Sequence, residues 1–240
     1  MTATIETLIT GVDTSEIIGD RIAEILVDEL ANQVVLATAA GPPVDPLDYT
    51  GVVYRERWRP WEQWLNNEDN ARLPFIVNVT QISQHLDQSR SNNAQRQCFT
   101  GVYNLDIYAG GRAQADGTGQ ILADEDAKLQ RSLAARLVRK ILSAPGNIYL
   151  RDEPPVGKKT REFVSGSRFP DFEFFTEAVE DLPAQSVKAL RAAFEVDYNE
   201  YSPQTVGDTL ELSSLDLCTQ DPVTGLVKLA AEVDIPYPLP

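Results

Sequence analysis

The sequence predicts an α+β fold, and three observations carry that reading. Two segments, one opening at Asp13 and one at Asp124, place apolar residues at four-residue intervals, the period of a helix with one buried stripe. Several others, led by "CFTGVYNLDIYAGGRA" at 98–113, alternate apolar and polar residues with the period of two of a half-buried strand. Glycine, proline and asparagine gather between these segments, where turns and loops belong.

The first helix is written as "DTSEIIGDRIAEILVDELANQVVLATAAGPP". Asp13 and Ser15 are N-cap candidates, and Glu16 stands three residues after Asp13, the spacing of a capping box. Ile18, Ile22, Leu26 and Leu30 form the stripe, and Gly41-Pro42-Pro43 ends it. Residues 43–72 are irregular and rich in Pro, Asn and Trp, and are read as an insertion before the first core strand. That strand is "LPFIVNVTQ", with Phe75, Val77 and Val79 alternating against Ile76, Asn78 and Thr80. The polar stretch 82–97 reads as a long exposed loop.

In the next strand Phe99, Tyr103, Leu105 and Ile107 share a face expected to be dry, while Thr100, Asn104 and Asp106 share one expected to be wet. "GGRAQADGTGQ" follows as a flexible tip. In the second helix Asp124, Glu125 and Asp126 occupy the first turn and Arg136, Arg139 and Lys140 the end, which matches the helix dipole. Leu129, Leu133, Leu137 and Ile141 are its expected buried stripe. Beyond it come short extended pieces, a basic loop and a strand around 172–176. "KALRAAFEVDYNEYSP" fits both periods. Val187, Leu190 and Phe194 suit a helix, while Leu190, Ala192, Phe194, Val196 and Tyr198 suit a strand, which the β-formers Phe, Val and Tyr favour. "DTLELSSLDLC" and "GLVKLAAEVDI", joined by "TQDPVTG", read as a C-terminal hairpin with a bulge at Ser213-Ser214.

Composition narrows the function classes. An apolar fraction of 42% is that of an ordinary globular protein, and 240 residues suffice for a sizeable core. Thirty-six acidic residues against 21 Lys and Arg give a formal charge of -15, which disfavours tight binding to nucleic acid or an anionic membrane. Cys98 and Cys218 are read as reduced, since two distant cysteines make no disulfide framework. "MTATIETLITG" does not read as a signal peptide and no apolar run reaches the roughly 18 residues of a membrane span, so synthesis in the cytoplasm is expected.

Candidate chemistry is sparse. His85 is the lone histidine and sits in polar text, where a surface role is expected. One histidine and two distant cysteines do not make a four-ligand zinc site, so no metal and no cofactor is expected. "VGKKT" at 156–160 lacks the P-loop spacing, because no glycine stands five residues before Gly157 and Lys159 stands where its Ser or Thr belongs. The most unusual text is "YRERWRPWEQWLNNEDN". Trp58, Trp61 and Trp64 are spaced by three, with Arg55, Arg57 and Arg59 interleaved. Trp and Arg are the residues of interface anchors, so these six are a candidate docking segment. The competing reading is that the tryptophans fold back onto the domain's own sheet.

The order of an N-terminal helix, "LPFIVNV", "GVYNLDIYA", a helix ending "RLVRKIL", and "ALRAAFEVDYNEYSP" resembles the tail terminator (tail completion, neck) proteins of tailed bacteriophages. The likeness covers residues 13–200, interrupted near 43–72 and 150–170. It implies a subunit of an antiparallel or mixed β-sheet packed by two main helices, with long loop insertions. It further implies a non-enzymatic virion protein of the head–tail junction. Such a protein forms a homo-hexameric ring that caps the tail tube, meets tube or sheath and the head connector or stopper, and lets genomic DNA pass unbound. Stopper, adaptor and collar subunits share that neighbourhood, and a non-viral protein- or ligand-binding module is the alternative of another class; a glycosidase with paired carboxylates is a third. Two domains are expected, 1–202 and 203–240, the second an arm of hairpin and "IPYPLP" with Tyr237 as a candidate anchor on a neighbour.

Overall fold

The computed structural model describes residues 13–61, 64, 74–91, 96–112, 114–116, 119–121, 123–151, 162–175, 185–201, 218–220 and 227–229. The chain divides into two compact units, Val12–Glu200 and a second made of Met1–Gly11 with Tyr201–Pro240. In the first unit, helix α1 (Thr14–Ala40) is followed by a 3-10 turn (Pro46–Tyr49), β1 (Gly51–Arg55), β2 (Phe75–Leu86) and β3 (Arg96–Arg112). A small hairpin of β4 (Gln114–Asp116) and β5 (Gly119–Ile121) leads to α2 (Ala123–Leu142), β6 (Gly166–Phe175) and β7 (Gln185–Tyr201).

Five strands form one sheet in the order β1-β2-β3-β7-β6. β1 runs parallel to β2, while β2–β3 and β6–β7 are antiparallel. Side-chain bonds from Cys98 to Asn199, Thr100 to Asp197 and Arg191 to Asp106 run in opposite orders along β3 and β7, so this central pair is antiparallel too. The result is an α+β fold with a mixed sheet packed by two helices.

Both helices lie on one face. Ile18, Ile22, Leu26 and Leu30 of α1, with Leu137, Val138 and Ile141 of α2, share one core with Val77, Val79, Leu105, Ile107, Phe194 and Val196. Burial of these side chains, each contributing about 1.5–3 kcal/mol relative to exposure, holds the layers together. Two glycines set how closely they approach. A Cβ at Gly111 would lie 1.9 Å from the Ala123 carbonyl oxygen, so only glycine lets the end of β3 meet the start of α2. At Gly51 a Cβ would meet the Phe75 ring at 2.5 Å.

Several expectations need correction. The segment 43–72 is not wholly irregular, because it contains the 3-10 turn and edge strand β1. Five half-buried residues make too short a period to stand out from proline-rich text. The loop expected at 82–97 is partly strand, since β2 continues to Leu86 and pairs there with Phe99. The face of β3 expected to be wet is dry at Asp106 and Tyr108, and β2 is buried on both faces from Phe75 to Val79. Local alternation cannot report a second covering layer.

In α2 the expected stripe holds at Leu137 and Ile141, which are buried, and in part at Leu133, which packs against the core, but fails at Leu129, which is 63% exposed. In the first turns Asp126 and Ala127 are buried instead, and Ala127 lies where the end of β3 comes close. Asp13 is the N-cap of α1 but its side chain caps nothing. The ambiguous 188–201 segment is strand throughout, as its β-formers indicate. The "GGRAQADGTGQ" tip carries the β4–β5 ladder.

In the second unit the described residues form a hairpin, β8 (Cys218–Gln220) against β9 (Val227–Leu229). Its strands have three residues each, so Thr219 and Gln220, expected in the turn, belong to the ladder. The Ser213-Ser214 bulge, "VGKKT", Thr176 and Tyr237 lie outside the described residues.

Candidate interaction surface

The tryptophan-arginine segment begins where β1 leaves the sheet. Glu56 and Arg59 both have φ of 49°, a left-handed conformation that non-glycine residues adopt at a cost of order 1 kcal/mol. The turn is clamped by Asn78, which is buried. Its Oδ1 accepts from the Arg57 N–H and its Nδ2 donates to the Arg57 carbonyl, both at 3.1 Å. One amide side chain thus takes the place of a strand partner, and the Glu56 N–H still donates to the Val79 carbonyl at 3.0 Å.

This turn carries the tryptophans across the face opposite the helices. Trp64 is 2% exposed and packs with Ile76, Tyr108, Val187 and Ala189. Trp61 lies against Tyr108 with ring centroids 5.1 Å apart. Trp58 alone points outward, 83% exposed. The structure therefore separates six residues that look alike in sequence. Trp61 and Trp64 cap their own sheet, and Trp58 is available to a partner.

The arginines divide in the same way. Arg57 stacks on the Tyr54 ring at 4.4 Å. Arg55 lies against α1, with Nε donating to Asp20 at 2.9 Å. Its guanidinium occupies the space that a side chain at position 19 would fill, since a Cβ built at Gly19 comes within 2.3 Å of the Arg55 Nη1. Arg55, Glu16, Asp20 and Glu56 then face Gln81–Gln84 across a cleft of about 600 Å³.

Beyond Trp64, the same face carries a ladder of charge. Arg191 of β7 donates through Nε and Nη2 to the two oxygens of Asp106 at 2.7 and 2.9 Å, and this fork holds a carboxylate that is 8% exposed. Further along, Asp197 accepts from the Thr100 hydroxyl at 2.7 Å and pairs with Arg168 at 3.2 Å and Arg90 at 3.3 Å. Burial pushes the Asp197 carboxyl up, but the Thr100 hydroxyl and the two guanidiniums outweigh it and hold the group below the ordinary aspartate value. Three residues on, burial and the charge of Asp13 push the Glu200 carboxyl up. Burial likewise raises the Tyr198 phenol to about 12, and its hydroxyl donates to Gln84.

Sequence reasoning did not find this network, because the fold joins residues from 29 to 107 positions apart. It also passed over a pattern that was present. Glu16, Asp20, Glu24 and Asp28 recur every four residues on α1, two positions out of phase with the buried isoleucines and leucines, and all four are exposed. Arg55 offsets Asp20 and Arg21 offsets Glu24, at 3.1 Å. His85 is exposed on β2 with Nε2 3.2 Å from the Ser83 hydroxyl oxygen, and among the described residues no carboxylate bonds its ring. No three His, Cys, Asp or Glu among the described residues are grouped to hold a metal ion. None of the described helices is long and apolar enough to cross a membrane.

No protein-family model matches the chain, and no curated protein matches it.

Proposed function

We propose that this chain is a structural subunit of a tailed-phage virion. It closes into a ring at the head–tail junction, caps the tail tube and joins it to the head connector, with no catalytic role. The six-fold number comes from the family likeness. The observation that carries the reading is the net charge of -15 on a chain whose element order is that of the family it resembles. Phosphates pass most freely along a wall that repels them, so an acidic surplus of this size suits a channel through which a genome moves. Among the described residues β1 and β6 are the outer strands of the sheet, and in this reading neighbouring subunits are built on from these two sides.

Negative-stain images and native mass spectrometry test the reading, alone and with isolated tail tubes. Rings bound at tube ends are expected, whereas monomers under both conditions overturn it. A stopper, adaptor or collar subunit would instead form rings that ignore tube ends. Binding of duplex DNA that stays tight at about 150 mM salt would contradict the repelling channel. The segment after Ser202 serves as an arm in this reading. A chain ending before Asp221 is expected to keep its circular dichroism spectrum and lose stable rings.

A further inference from the structure

On the helix side, the two edges of the sheet are flanked by patches of opposite charge. At the β1 edge, Val27 of α1 is 51% exposed and lies with Asp20, Ala23, Glu24, Asp28 and Arg55 around a shallow depression. Asp28 and Glu16 make no ion pair among the described residues. At the β6 edge the arrangement is reversed. Phe172, Phe174 and Leu190 of the sheet and Ala135, Arg136 and Arg139 of α2 line a groove of about 420 Å³. Phe174 is 63% exposed, with the Arg131 guanidinium 4.6 Å from its ring centre, and Arg136 and Arg139 have no carboxylate partner among the described residues.

An exposed phenylalanine flanked by guanidiniums fits a surface that is apolar at its centre and acidic around it. This chain carries such a surface at its other edge. We propose that the β6 groove of one subunit seats on the α1 face of a second copy, Phe174 against Val27 and Arg136 and Arg139 against Glu24 and Asp28. Because the two patches differ and lie on opposite edges, the contact is heterologous and repeats from copy to copy, closing as a ring where the rotation permits. The inference deepens the ring reading and rests on it for closure.

The test uses two variants of the full chain, Arg136→Glu/Arg139→Glu and Glu24→Lys/Asp28→Lys. Each places like charges across the contact, and each is expected to weaken self-association at least about 100-fold in sedimentation at low salt. An equimolar mixture restores assembly, because every contact in an alternating ring again joins opposite charges. Variants that assemble like wild type, or folded variants whose mixture stays dissociated, overturn the inference while leaving a ring intact. If either variant loses its circular dichroism spectrum, salt decides. Wild-type association should weaken as salt rises from about 50 to 500 mM, and indifference to salt overturns the contact. Wild-type chain that stays monomeric in solution also overturns it, whereas the ring reading falls only if tail tubes too fail to collect rings.

Discussion

The two faces of the sheet are made by the same three central strands, yet they are held by different physics. On the helix side Val77, Val79, Leu105, Ile107 and Phe194 pack against two helices, and the stabilisation is area removed from water. On the other side Trp64 covers one end, and the rest is secured by pairing, Asn78 to the Arg57 backbone, Arg191 to Asp106, and Asp197 to Thr100, Arg168 and Arg90. A packed face tolerates exchange of one apolar residue for another of similar size. A paired face fails when one member is removed, because the other is left buried and uncompensated.

Substitutions break this contrast in order of size. Leu105→Ala leaves a cavity under both helices and should lower unfolding free energy by about 2–5 kcal/mol, read from urea titrations. Trp64→Ala should cost at least as much from the opposite face, about 3–5 kcal/mol, because that tryptophan is buried like a core residue. Arg191→Met strands the Asp106 carboxylate. Since the Arg191 side chain is itself 41% exposed, water softens the loss to about 1–3 kcal/mol. Adding Asp106→Leu should recover most of it, and no recovery would mean that packing, not pairing, holds this face.

The Asp197 cluster gives a pH signature. A carboxyl held below its unfolded value of about 3.9 contributes stability that is complete above that value and is lost as pH falls through the folded one. Wild-type protein should therefore lose stability below about pH 4, and Asp197→Asn should flatten that acid limb. Glu200 works in reverse, because its raised carboxyl opposes folding once ionised, so Glu200→Gln should stabilise the protein near neutral pH. The smallest effect belongs to Trp58→Ala, within about 0.5 kcal/mol by thermal unfolding, since that ring is in water.

The contrast also explains what could be read in advance. α1 was legible because its apolar period and its Gly-Pro-Pro stop are local. The strand character of 188–201 was legible from its β-formers. What stayed hidden depends on partners distant in sequence. Asp106 looks like a solvent-facing residue until Arg191 is set across from it, and Ile76 looks outward until Trp64 lies over it. Leu129 misled for the same reason, since at the start of α2 the close approach of Gly111 puts Ala127 on the buried side and leaves Leu129 outside. In the tryptophan segment the six residues read as one docking segment, whereas Trp58, between the left-handed residues Glu56 and Arg59, stays in water while Trp61 and Trp64 pack on the sheet.

All three tryptophans of the chain fall between positions 58 and 64, and this gives the protein an optical property. Its indole emission comes from one seven-residue stretch, with Trp64 in an apolar setting and Trp58 in water. A quencher such as iodide should extinguish the Trp58 share and spare the blue-shifted remainder. Emission then reports whether this stretch is seated on the sheet, while circular dichroism follows the helices on the far side. If the two signals part during unfolding, the covering of the polar face is a step of its own.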